Sequence, residues 1–95
     1  MIETIGLKDL HEIIGCLHID TIKIYLQNYR FNKFRMTYST GHKARYKLDK
    51  EFLNLFYTYL LNRNRIKAAN RLAEHFKEFD LTVIDWEDFI CGNTL

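Results

Sequence analysis

Proline is absent from all 95 residues, and between Asp20 and Asp49 there is not one aspartate or glutamate. The first absence removes kinked helices and proline-rich linkers from consideration. Cysteine is scarce. Cys16 and Cys91 show no Cys-x-x-Cys or Cys/His spacing, and His11, His18, His42 and His75 are scattered, so neither a metal site nor a cofactor is expected. Both thiols are expected to be reduced and mostly buried. No nucleophile elbow, phosphate loop or metal motif occurs, which leaves an enzymatic role without support. The amino terminus lacks the basic start and apolar run of a secretory signal, and the most apolar stretch, residues 52–61, is about half of a membrane-spanning helix. A cytoplasmic location is the expectation.

What the chain does hold is apolar mass: 47% hydrophobic and 15% aromatic residues, enough for one globular domain over 1–95. The second absence now matters. The acid-free stretch carries Lys23, Arg30, Lys33, Arg35, Lys43, Arg45 and Lys47, a local charge of +7, while the two flanks hold seven cations against all twelve acids. A net charge of +2 therefore conceals a strong separation of charge along the chain. Gln27, Asn28, Tyr29, Asn32, Thr37, Tyr38, Ser39 and Thr40 lie in the same stretch, the donor-rich mixture that phosphates and base edges require. Nucleic acid is the partner this composition points to.

Leu7, Leu10, Ile13, Ile14 and Leu17 recur at helical spacing, which predicts a helix over 7–14 closed by Gly15. Asp20 or Thr21 is the expected N-cap of a second helix with Ile22, Tyr25, Leu26 and Tyr29 turned inward. Its outward positions are Thr21, Lys23, Ile24, Gln27, Asn28 and Arg30. Two short helices joined by a tight turn make a helix-turn-helix pattern. Over residues 31–48 the period becomes two: Phe34, Met36 and Tyr38, then Ala44, Tyr46 and Leu48, around a turn at residues 39–42. This reads as a β-hairpin presenting Lys33, Arg35, Thr37, Lys43, Arg45 and Lys47 on one face.

Asp49 is placed to cap a third helix that is apolar on more than one side, which calls for a further packed helix or a subunit interface. Ile66, Ala69, Leu72, Ala73 and Phe76 supply the packed helix after a break at residues 62–64. Residues 81–90 read either as a strand at 81–84 or as a Thr82–Asp85 capping box leading into a short helix through Trp86, Phe89 and Ile90. The last 22 residues carry six acids (Glu74, Glu78, Asp80, Asp85, Glu87 and Asp88) against Lys77, so they are expected to point away from a polyanion.

Helix, turn, helix, hairpin, helix is the order of a winged helix-turn-helix domain. Arg45-Tyr46-Lys47-Leu48-Asp49, with Leu10, Ile14 and Gly15 before the turn and Ile22 after it, resembles the MerR and excisionase-like group of DNA-binding domains. The likeness spans residues 7–61; residues 62–95 form a helical extension. Spacing between Gly15 and Ile22 is about one residue longer than in that group, and Tyr25 stands where a Trp or Arg is usual.

The resemblance implies a mainly α fold with a small β-hairpin, a winged helix-turn-helix followed by two or three C-terminal helices. It also implies sequence-specific binding of double-stranded DNA by a small transcriptional regulator or recombination accessory factor, of the kind phages and mobile elements carry. Thr21, Lys23, Gln27 and Asn28 would then face the major groove, and Arg30, Lys33, Arg35, His42, Lys43, Arg45 and Lys47 would meet the backbone or the minor groove. A homodimer through Leu53, Tyr57 and Leu61, or through the acidic end, would supply two half-sites. Arg63, Arg65, Lys67 and Arg71 either extend the phosphate track or form a solvated face. The alternatives are a protein-interaction module, an inhibitor or adaptor on the same fold, and RNA binding.

Overall fold

The computed structural model describes residues 3–36 and 45–84. It is mainly helical with a small antiparallel sheet. Strand β1 (Thr4–Gly6) leads directly into helix α1 (Leu7–Ile14), which a four-residue turn joins to α2 (Ile19–Leu26). A 3-10 helix, Tyr29–Phe34, feeds strand β2 (Arg35–Met36); β3 (Arg45–Lys47) then precedes α3 (Lys50–Asn62) and α4 (Ile66–His75). A short 3-10 turn, Lys77–Phe79, follows.

Helix α1 takes the predicted bounds, and both ends have a physical cause. At its start the Asp9 carboxylate accepts the Gly6 N–H at 3.1 Å, satisfying a donor that the helix leaves open. At its end Gly15 turns left-handed, with φ 73°, and its N–H donates to the His11 carbonyl. The His11 ring donates through Nδ1 to the Leu17 carbonyl at 3.0 Å, so the turn is tied back onto the helix it leaves.

Helix α2 begins earlier than expected, because its N-cap is His18 rather than Asp20 or Thr21. The His18 Nδ1 accepts the Asp20 N–H at 3.1 Å, a task an imidazole lone pair performs as a carboxylate would. Asp20 becomes a first-turn acid, favourably placed against the helix dipole. The helix also stops at Leu26, so Tyr29 falls outside its buried stripe and is 49% exposed. Residues 29–34, expected to end the second helix at 29–30 and to begin a strand from Phe31, instead wind into a 3-10 helix that buries Phe31 and Phe34 one turn apart.

The sheet order is β1-β3-β2, with β3 central. Thr4, Ile5 and Gly6 face Lys47, Tyr46 and Arg45, while Arg35 and Met36 face Tyr46 and Arg45. Directly opposed residues of an antiparallel pair share a sheet face. Arg35 therefore shares its face with Tyr46, and the expected single row of hairpin cations is broken: Arg45 and Lys47 keep one row, and Lys33 sits in the 3-10 helix. Thr37, Lys43 and the turn expected at residues 39–42 lie outside the described residues.

Phe52 is the centre of the core. It stacks on Tyr46 (5.6 Å, 14°) and Phe56 (6.2 Å, 7°) and takes Phe31 and Phe34 edge-on. Asp49 caps α3 as predicted, accepting the Phe52 N–H at 2.9 Å. Helix α4 covers the second apolar side of α3 and also packs on α1, through Ala68, Ala69, Leu72 and Phe76. Two expectations fail here: Ile66 is 55% exposed rather than packed, and Leu53 is fully buried, which removes it from any subunit contact. Residues 81–84 form no strand; they run along α3, where the Asn54 and Thr58 side chains accept the Thr82 and Ile84 N–H groups, both at 2.9 Å. Asp85, Trp86, Phe89 and Ile90 lie outside the described residues. No helix among the described residues is long and apolar enough to cross a membrane. Cys16, expected to be buried, is exposed in the turn between α1 and α2, and Cys91 is outside the described residues.

Candidate nucleic-acid interface

On α2 three side chains turn inward: Ile22, Tyr25 and Leu26. Lys23, Ile24 and Gln27 are exposed, while Thr21 and Asn28 are half-covered. Between this helix, α1 and the sheet lies a cleft of about 720 Å³, and Lys23, Gln27, Arg35 and Arg45 all line it. Four of the residues singled out from sequence thus converge, although they come from three separate elements.

Two others do not join them. Arg30 is buried, at 9% exposure, within the 3-10 helix, so it cannot present a charge to a polyanion from the α2 surface. Asn28 is the cap of that 3-10 helix: its Oδ1 accepts the Arg30 N–H at 3.0 Å and the Arg30 guanidinium at 3.1 Å. An amide held in this way has lost its acceptor for an adenine edge. His42 and Lys43 lie outside the described residues.

The acid-free character of the central stretch does not survive folding. Lys33 pairs with Glu51 at 2.6 Å, Arg45 with Asp9 at 3.5 Å, and Lys47 with Asp49 at 3.6 Å. Each acid comes from a flanking element, and Asp9 and Glu12 also line the cleft. Surface pairs of this kind contribute about 0–1 kcal/mol. Arg45 is the most fixed of the three, because Thr4 Oγ1 accepts its Nε–H at 2.9 Å and the Thr4 carbonyl accepts from its Nη2 at 3.2 Å. Gly6, its cross-strand partner, leaves room for it: a Cβ there would stand 2.7 Å from Arg45 Nη1.

Within this constellation Tyr46 is the group whose ionisation is displaced. Burial in the sheet against Phe52 raises its phenol above the ordinary range, and the nearby Arg35 charge offsets part of that rise.

A second basic group stands on another side of the helix pair. Arg65 donates through Nε to the Tyr25 hydroxyl at 3.0 Å, and the Arg63 guanidinium lies 5.5 Å from the Tyr25 ring and 5.9 Å from that of Tyr59. Arg71 reaches the turn between α1 and α2, 3.3 Å from where a Cβ on Gly15 would stand. The signal for this group was a second acid-free run, from Glu51 to Glu74. Asp9 and Glu12, in contrast, gave no sign in the chain that they would enter the cleft.

Comparison with protein-family models, with curated proteins and with solved structures found no match to this chain.

Proposed function

We propose that the protein binds double-stranded DNA in a sequence-specific manner through a winged helix-turn-helix surface, as a small transcriptional regulator or recombination accessory factor. The observation that carries this reading is the convergence of Lys23 and Gln27 from α2 with Arg35 and Arg45 from the sheet on a single cleft. A helix seated in the major groove uses such a pair of elements differently. Gln27 can bond bidentately to adenine and Lys23 can reach guanine acceptors, whereas Arg35, Arg45 and Lys47 grip phosphate. Arg71 beside the turn, with Arg63 and Arg65 against Tyr25, extends the grip.

Binding as a homodimer to two half-sites belongs to the same proposal. With Leu53 buried, the contact falls to the half-covered Tyr57 and Leu61 or to the acidic end. The rival reading, an interaction module for a protein, draws on exposed Ile24 and Tyr29 and on the carboxylate partners of Lys33, Arg45 and Lys47.

Titration of a labelled duplex at several salt concentrations separates the two. Contact with ~6 phosphates gives a slope of log K against log salt of roughly −5. Lys43, Arg45 and Lys47 changed together to alanine weaken binding to every sequence, while Gln27→Ala alters the preference among sequences. No duplex binding at low salt, or an unchanged preferred site in Gln27→Ala, overturns the assignment.

A further inference from the structure

The outermost row of α2 has an unexpected composition. Successive helical residues are about 100° apart, so the direction opposite the buried Ile22, Tyr25 and Leu26 is shared by Asp20, Ile24 and Gln27. Burial agrees with the geometry: Asp20 and Gln27 are exposed, and Ile24 is 62% exposed. A short amphipathic helix ordinarily keeps this row polar. Here its centre is a β-branched hydrocarbon, one turn from Asp20 on one side and one turn from Gln27 on the other.

Resting on the duplex-binding reading, we propose that Ile24 is a specificity-determining residue that packs on the C5-methyl group of a thymine in the major groove. The chemistry of the row favours base edges over backbone. Asp20 repels phosphate but accepts a bond from the cytosine amino group, and Gln27 pairs with adenine. The cation of this helix face, Lys23, stands to one side, where it lines the cleft toward the sheet, and Gln27 at the end of the row borders the same cleft. Between an acceptor and an amide, an isoleucine has one apolar counterpart on the floor of the major groove, and that is the thymine methyl. A single exposed isoleucine elsewhere on the surface would need no explanation. At the centre of the row that enters the groove, it selects.

The experiment uses the full 95-residue chain and a duplex selected from random sequences, with each thymine replaced in turn by deoxyuridine, which removes only the methyl. Loss of one buried methyl contact lowers affinity about four-fold, so the unmodified protein loses that factor at one or two thymines. Ile24→Ala binds the thymine duplex about four-fold more weakly and shows no further loss at the same deoxyuridine. Ile24→Val, which keeps branched methyl groups, retains the discrimination. The salt slope is the same in all three proteins, since no phosphate contact changes.

Deoxyuridine without effect at every thymine overturns the inference while leaving duplex binding intact, and so does discrimination that persists in Ile24→Ala. Native duplex affinity in Ile24→Ala does the same and moves the residue to a protein contact. Absence of salt-dependent duplex binding removes the wider reading, and this inference with it.

Discussion

The Asp9 carboxylate stands 3.5 Å from the Arg45 guanidinium while accepting the Gly6 N–H at 3.1 Å, so one side chain both starts α1 and holds the principal cation of the central strand. Asp9→Asn keeps an acceptor for Gly6 and removes the charge. Duplex affinity is expected to rise several-fold at low salt, with a salt slope steeper by about one, because Arg45 is released and the cleft loses a carboxylate. Asp9→Ala loses the helix-start bond as well and is expected to cost about 1 kcal/mol of stability. Fluorescence anisotropy and thermal unfolding of both variants check this; equal affinity in all three proteins would mean that Arg45 does not meet the duplex.

His18 acts where a serine or aspartate is usual. His18→Ser preserves the acceptor at the start of α2 and should unfold close to the unmodified protein, whereas His18→Ala should lose about 1 kcal/mol in urea denaturation. Equal losses in the two variants would show that the imidazole contributes through packing rather than capping.

Gly15 has a φ of 73°, a region that side-chain-bearing residues enter at a cost of about 1 kcal/mol. Gly15→Ala is expected to be destabilised by that amount, and Gly15→Asn by less, because asparagine tolerates the left-handed region better. The flexible end of Arg71, 3.3 Å from the added Cβ, can give way, so steric crowding adds little.

Tyr46 links stability to pH at the alkaline end. Its phenol is raised in the folded protein by burial, whereas in the unfolded chain it ionises near 10. Above that value the unfolded state releases the proton first, so the stabilisation, complete below pH ~10, is lost as pH rises toward the folded value. Melting temperatures from pH 9 to 11 should fall more steeply for the unmodified protein than for Tyr46→Phe. Parallel curves would exclude a displaced Tyr46.

Helix α1 was legible because its evidence is local: an apolar period and a glycine after the last turn. Helix α2 was legible in its stripe as far as Leu26 but not in its start, since an imidazole seldom serves as a cap, nor in its end, which leaves Tyr29 exposed. Strand β1 escaped notice because three residues with one buried side chain, Ile5 between Thr4 and Gly6, are too few to display alternation. Phe31 and Phe34 are equally compatible with several periods, and only their packing against Phe52 decides among them. The pairing of Lys33 and Arg45 was hidden for another reason. Charge counted along a chain registers neighbours in sequence, whereas Glu51 and Asp9 reach these cations only after the fold has closed.

The order of the sheet also governs when the protein acquires its shape. β1 leaves the ribosome well before the strand it pairs with: Thr4 binds Arg45, 41 positions later. Until that strand emerges, α1 and α2 hang in an open loop whose closure is a long-range step, the slow kind in a small domain. The helix pair and the basic strands therefore come together in one late event, and a nascent chain that stops short of residue 45 carries Lys23 of α2 without the cleft that orients it.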